Sequence, residues 1–212
     1  MPGIDIPQLF IAFSVLLLSL TVHEAAHAWT ADKLGDPTAR RLGRVSLNPV
    51  VHADLIGTVV FPLLAMVGGV PLIGWAKPVP VDIRRLRYER RGFVLVAAAG
   101  PASNIAIAVI ASVIGLAISV DSVQTGTGIA PPIAMFLGRA VQLNLLLAVF
   151  NMLPIPPLDG GNVLAGLLPR PLAHVFDQIR PFGFLLLYAL LLTGGFDYLV
   201  GPPYFFLRSL LP

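Results

Sequence analysis

The chain has 212 residues, of which 56% are hydrophobic and only 12% charged, about half the charged fraction of an average soluble domain. Together with a mean hydropathy of +0.84, this excludes an ordinary soluble enzyme and predicts a polytopic membrane protein in which residues 1–212 form a single integral membrane domain. Cysteine is absent, which excludes disulfides and thiolate metal sites; the net charge of +3 reads as basic flanks of membrane segments and not as a nucleic-acid surface.

The first apolar run, 7–31, carries no charge between Asp5 and Glu24 and is long enough to span a bilayer. It lacks the basic leader and the short apolar core of a cleavable signal peptide. A polar turn with Gly35 and Pro37 ends it. The basic stretch 38–49 alternates in part and can form a short edge strand. A second apolar stretch, 55–75, is interrupted by Gly57, Pro62, Gly68, Gly69 and Pro71. The third runs over 92–120 and contains Gly100-Pro101-Ala102-Ser103-Asn104. The fourth, 133–153, ends in a proline-rich stretch leading to Asp159-Gly160-Gly161. Residues 162–181 are mixed and suit a short amphipathic or partly inserted helix, and a last apolar segment covers 182–200.

Charge sets the expected topology. Of 14 basic residues, four fall in 32–54 and six in 76–91. The positive-inside bias places both loops in the cytoplasm. One clean crossing by 55–75 cannot satisfy that, so the second segment is expected to be re-entrant or broken. The connector 121–132 has no Lys or Arg and is expected outside. The predicted fold class is therefore an all-α polytopic bundle of about four to six transmembrane segments, with short strands at the cytoplasmic face as an option.

The chemistry is concentrated at His23-Glu24-Ala25-Ala26-His27. Histidines four apart share a helix face and can reach one metal ion, and the Glu between them can take a proton from an activated water. Inside an apolar span, ionisable groups mark a functional site by default. A catalytic zinc takes three protein ligands, and His52, His174 and Asp159 are candidates for the third. Asp159 is favoured because Pro154, Pro156 and Pro157 unwind its approach. The alternative is that Asp159 caps the helix that follows. His52 is either a site residue or an interfacial histidine. Asn104 either lines the site or bonds between helices. Asn151, seven residues beyond Asn144 on the same face, is the better functional candidate of that pair.

These three motifs, in this order, resemble the site-2 protease family of intramembrane zinc metalloproteases. The resemblance covers nearly the whole chain, and Arg44 to His52 and Gly74 to Pro80 look like its small bacterial and archaeal branch. It implies one Zn2+ per chain on His23, His27 and Asp159, with Glu24 as catalytic acid/base. Asn151 would support substrate or oxyanion, with Asn104 and His52 as further site or second-sphere candidates. It also implies hydrolysis of peptide bonds within or near transmembrane helices of membrane protein substrates. The location would be the cell membrane, with the site near the cytoplasmic face. The chain departs from larger members in having no PDZ or CBS domain and no helix before the motif helix. Two rival readings are a non-proteolytic zinc-binding membrane protein and a transporter; the intact Glu24 counts against the first, and the lack of an inverted repeat counts against the second.

Overall fold

The structure is a computed structural model and describes residues 6–68, 76–122 and 130–212. Among these residues every regular element is helical. Helix α1 (Ile6–Lys33) buries Val15, Leu16, Ser19, Leu20, His23, His27 and Ala31. Steps of three and four place these residues on one stripe. Short helices α2 (Thr38–Arg41) and α3 (Pro49–His52) follow. A wide π turn, Leu55–Val60, leads into α4 (Phe61–Gly68). Helix α5 (Glu89–Ser122) lies between α1 and α6 (Ala130–Asn151). Then come α7 (Asp159–Leu167), α8 (Arg170–Ile179), α9 (Gly183–Leu192) and α10 (Gly195–Ser209).

The core is where α1, α5 and α6 meet. Val15 packs with Ala108, Ala111, Ala140, Val141 and Leu145. Small residues on α5, including Ala97, Gly100, Ala108 and Ala111, permit this close approach. The direction of each helix follows from its partners. Val15 meets Ala108 while Ala31 meets Val96, so α5 is antiparallel to α1. Outside the core the helices present large apolar side chains: Phe10 is 72% exposed and Ile110 is 58% exposed. Only lipid can cover so continuous an apolar exterior. Among the described residues four stretches are long and apolar enough to cross a membrane: Ile6–Lys33, Glu89–Ile118, Pro132–Asn151 and Arg170–Leu192. The protein is an all-α, multi-pass membrane protein.

The two basic loops form one layer at one end of the bundle. The Arg87 amide donates to the Leu34 carbonyl (2.8 Å) and the Lys77 amide to the His52 carbonyl (2.8 Å). The buried Asp36 carboxylate accepts from the Asp82 amide (2.7 Å). Arg44, 5% exposed, donates to the carbonyls of Lys77 (2.6 Å) and Pro78 (2.9 Å). Residues 52 and 77 flank the second apolar stretch, so both of its flanks lie at the same end of the bundle. This agrees with the charge argument, although 69–75 and 123–129 lie outside the described residues.

One expectation needs correction. The optional strand at 38–49 is absent among the described residues. Helix-start chemistry takes its place. Asp36 accepts from the Thr38 amide (3.0 Å), and Asn48 accepts from the Val50 amide (3.0 Å) with Pro49 at the first helical position. What remains between them, Val45 to Leu47, is irregular and bent, with no strand among the described residues. The last apolar segment, 182–200, is divided between α9 and α10. Gly194 has φ +74°, a left-handed conformation glycine adopts without penalty. The chain breaks there, and α10 folds along α6, where Val200 packs with Val149, Leu153 and Leu158.

Because both basic loops and the start of α7 share one end, single cysteines at Ser46, Arg87 and Asn162 should behave alike towards an impermeant thiol reagent in intact cells. Pro132→Cys, at the start of α6, should behave oppositely. Different labelling of Ser46→Cys and Arg87→Cys would mean that the second stretch crosses the bilayer.

Candidate metal centre

Three elements converge near the loop end of the bundle. The last turns of α1 supply His23 and His27, which are 4% and 7% exposed. Their Nε2 atoms lie 3.0 Å apart. Asp159 brings Oδ2 to 3.0 Å from His23 Nε2 and 3.3 Å from His27 Nε2. It reaches them because α7 is seated on α5, where Arg90 donates to the carbonyls of Ala165 (2.8 Å) and Leu168. The capping alternative for Asp159 is not realised. Helix α7 begins at Asp159 itself, and Leu158 stands at its N-cap position without a side-chain bond.

The far side of each imidazole is also held. His27 Nδ1 faces the Val96 carbonyl at 2.7 Å. A carbonyl can only accept, so Nδ1 carries the proton and Nε2 presents a lone pair to the cluster. His23 Nδ1 faces Asn104 Oδ1 at 2.6 Å, which has the same effect. Three acceptor atoms therefore face one another, and the buried Asp159 Oδ2 has no hydrogen-bond partner among the described residues. Such an arrangement is costly without a cation.

The fit to zinc can be tested on size and shape. Zinc bonds of ~2.0–2.2 Å at tetrahedral angles separate ligand atoms by roughly 3.3–3.6 Å. The observed separations of 3.0 to 3.3 Å are within reach of that by small side-chain shifts. The wall beside the cluster is Gly100. A Cβ there would lie 2.5 Å from His23 Nε2 and closer still to His27 Nε2. Glycine keeps this space open. Two histidines and one carboxylate are also a donor set suited to catalytic zinc.

The other sequence candidates fall in different places. Glu24 is half-buried on the turn between the two histidines. On another face of α1, Val22, Ala25, Ala26 and Trp29 form one side of an open groove of about 360 Å³, with Val45, Ser46 and Leu47 on the other; Glu24 does not line it. Asn104 is fully buried against His23, and it also donates to Asn144 Oδ1 (2.8 Å). Asn104 thus bonds between helices, behind the His23 ring. The Asn151 amide donates back to the Leu147 carbonyl (3.0 Å). His52 is buried away from the cluster, where Nε2 donates to the Ser46 carbonyl (2.8 Å) and braces the loop. His174 is exposed on α8. Two contributors to the site are not singled out by the sequence: Gly100 and the Val96 carbonyl. A Gly-Pro pair within an apolar span was the available signal for the first; no side chain could announce the second.

The chain is similar over most of its length to "Putative zinc metalloprotease YwhC" of Bacillus subtilis, with 36% identity over 187 residues, 88% of this chain and 82% of that protein. The family model for Peptidase family M50 matches residues 118–193. The chain belongs to peptidase family M50, the site-2 protease family. Other M50-like relatives are longer. "Putative zinc metalloprotease Rip2" of Mycolicibacterium smegmatis is 32% identical over 185 residues, 85% of this chain and 66% of that protein. "Putative zinc metalloprotease Rip3" of Mycobacterium tuberculosis is 34% identical over 156 residues, 74% of this chain and 30% of that protein. No solved structure matches the chain. As an M50 member it is a zinc metalloprotease, and the cluster of His23, His27 and Asp159 is able to hold that zinc.

Gly100→Ala should leave the bundle folded but push the two imidazoles apart. A disturbance of this kind around a metal ligand typically costs about 10–100-fold in affinity. Zinc content of the purified variant, measured at a fixed chelator concentration, should drop accordingly; full retention would place the metal elsewhere.

Proposed function

We propose that this M50 zinc metalloprotease is an intramembrane endopeptidase that hydrolyses peptide bonds within or near transmembrane helices of membrane protein substrates. The observation that carries the reading is the buried His23–His27–Asp159 cluster, held among helices whose outer faces are apolar. On this reading His23, His27 and Asp159 hold the ion and Glu24 is the general acid/base. A structural zinc site would be closed by four protein ligands. The cluster offers three among the described residues, which favours catalysis over the non-proteolytic alternative.

Zinc, when bound, supplies Lewis acidity, polarising a carbonyl and making water a competent nucleophile near neutral pH. Glu24, one residue from the first ligand, accepts the proton that water loses and returns it to the leaving amine. The two Nδ1 bonds keep both imidazoles turned towards the cluster, so these rings need no reorientation during turnover. Water and an unwound substrate segment must both reach Glu24 and the cluster for this chemistry. A helical substrate must open there, since its own hydrogen bonds occupy the carbonyls to be attacked.

Ten of 14 basic residues lie in 32–54 and 76–91, which supports a cytoplasmic position for this end and a cell-membrane location. The site draws on α1, α5 and α7, which supports reading 1–212 as a single metalloprotease domain whose partners are the lipid bilayer and membrane protein substrates, with no nucleic acid involved.

Glu24→Gln should keep its zinc and its fold. Cleavage of a single-span model substrate in detergent or liposomes should fall by about 10²–10⁴-fold, the usual contribution of a general acid/base. Chelation should abolish the activity of the unmodified protein, and zinc should restore it. Near-normal turnover by Glu24→Gln would remove Glu24 from the mechanism.

A further inference from the structure

The polar contacts behind His23 continue well past Asn104. Asn104 Nδ2 donates to Asn144 Oδ1 (2.8 Å). Asn144 Nδ2 donates to Ser19 Oγ (2.8 Å) and to the Ala140 carbonyl (2.8 Å). Ser19 Oγ donates to the Val15 carbonyl (2.7 Å). All four side chains are sealed from outside: Ser19 is 2% exposed, His23 4%, and Asn104 and Asn144 0%. The path joins α1 to α5, α5 to α6, and α6 back to α1.

The direction of this path is forced by its far end. The Ala140 carbonyl can only accept, so the Asn144 atom facing it must be the amide nitrogen. Asn144 then presents its oxygen to Asn104. Asn104 must answer with its own nitrogen, which leaves its oxygen facing His23 Nδ1. An oxygen there requires a proton on Nδ1 and leaves the Nε2 lone pair free for the cluster. His27 gets the same tautomer directly from the rigid Val96 carbonyl. His23 relies on an amide that could turn over, because the two ends of an Asn side chain have almost the same shape. We propose that Asn144, on α6, is a positioning residue for His23, acting through Asn104 to hold the imidazole in the tautomer that aims Nε2 at the metal. The proposal rests on the reading of His23 as a zinc ligand.

Two substitutions at Asn144 separate this role from packing. Leucine keeps the same branched skeleton of side-chain heavy atoms, is somewhat bulkier, and offers no acceptor. Asn104 Nδ2 then loses its partner, and the Asn104 side chain can turn its nitrogen to His23 Nδ1, which favours the wrong tautomer. Aspartate, protonated or ionised, still offers an oxygen to Asn104 Nδ2 and preserves the direction of the path. Packing alone predicts the opposite order, since a buried apolar leucine is tolerated among membrane helices better than an acid.

The test is zinc affinity of the full-length protein by competition with a chelator, alongside thermal unfolding. Asn144→Leu should bind zinc about 10–100-fold more weakly, the usual effect of losing an outer partner of a metal ligand, and Asn144→Asp should bind distinctly more tightly than Asn144→Leu. Unchanged affinity in Asn144→Leu would overturn the proposal, as would an Asn144→Asp protein that folds yet binds no better than Asn144→Leu. Histidine-selective ¹⁵N spectra of the chelator-treated protein supply a readout that does not need the aspartate variant. In Asn144→Leu the His23 Nδ1 signal should move from the protonated towards the unprotonated range, and an unmoved signal would overturn the proposal. A His23→Ala, His27→Ala double variant serves as reference. Retention of zinc there would refute the ligand assignment, whereas loss there with full affinity in Asn144→Leu would refute the role of Asn144 alone.

Discussion

A polar atom inside a bilayer has no water to fall back on, and the arrangement of this protein follows from that constraint. Ser19, His23, His27, Asn104 and Asn144 sit within apolar helices, and each is answered by another part of the chain. These bonds tie α1, α5 and α6 together at fixed heights. The one buried atom left without a partner beside the histidines is Asp159 Oδ2. In a low-dielectric interior an unanswered carboxylate oxygen facing two imidazole lone pairs is a demand for a cation.

The second determinant is the layer formed by the two basic loops. Backbone and side-chain bonds from Leu34, Asp36, Arg44 and His52 to the 77–87 stretch hold it together. That layer returns the second apolar stretch to the end from which it left, so α1 and α5 can run antiparallel as neighbours. Antiparallel packing in turn brings Val96, Gly100 and Asn104 down the side of the motif helix. The chain then reaches Asp159 from α6 at the same end. Without the return of 55–75, the histidines and the carboxylate would be on opposite sides of the membrane.

Glycine makes the closest approaches possible. Gly100 keeps space open beside the histidines. Gly160 lies against the Met152 and Leu153 carbonyls, and Gly183, at the start of α9, lies against the Pro156 carbonyl. A side chain at any of these positions would push the Asp159 loop or the motif helix away from the other. The metal centre is thus held by contacts between backbones as well as by its ligands.

Much of this was legible in the sequence. Apolar runs of spanning length marked three of the long helices, and the distribution of Lys and Arg implied that the second stretch returns. Helical spacing placed His23 and His27 on one face, and the prolines before Asp159 pointed to a broken approach. Local signals were less decisive where two kinds of structure competed. Partial alternation at 38–49 allowed a strand, but Asp36, Asn48 and Pro49 favour helix starts, and among the described residues there is no neighbouring strand to pair with it. Apolar character marked 182–200 as a segment, but hydrophobicity does not register the left-handed turn at Gly194. By itself the sequence determined the membrane setting, the placement of His23 and His27 on one helix face and the concentration of Lys and Arg in two loops, because these depend on composition and on spacing within one helix. Only the tertiary structure decided that the Val96 carbonyl backs His27, that Gly100 shapes the space beside both rings, and that Asn144 and Ser19 stand behind Asn104. Those contacts join residues 40 to 125 positions apart, and no local pattern specifies which main-chain carbonyl or amide will meet a given ring once three helices are packed.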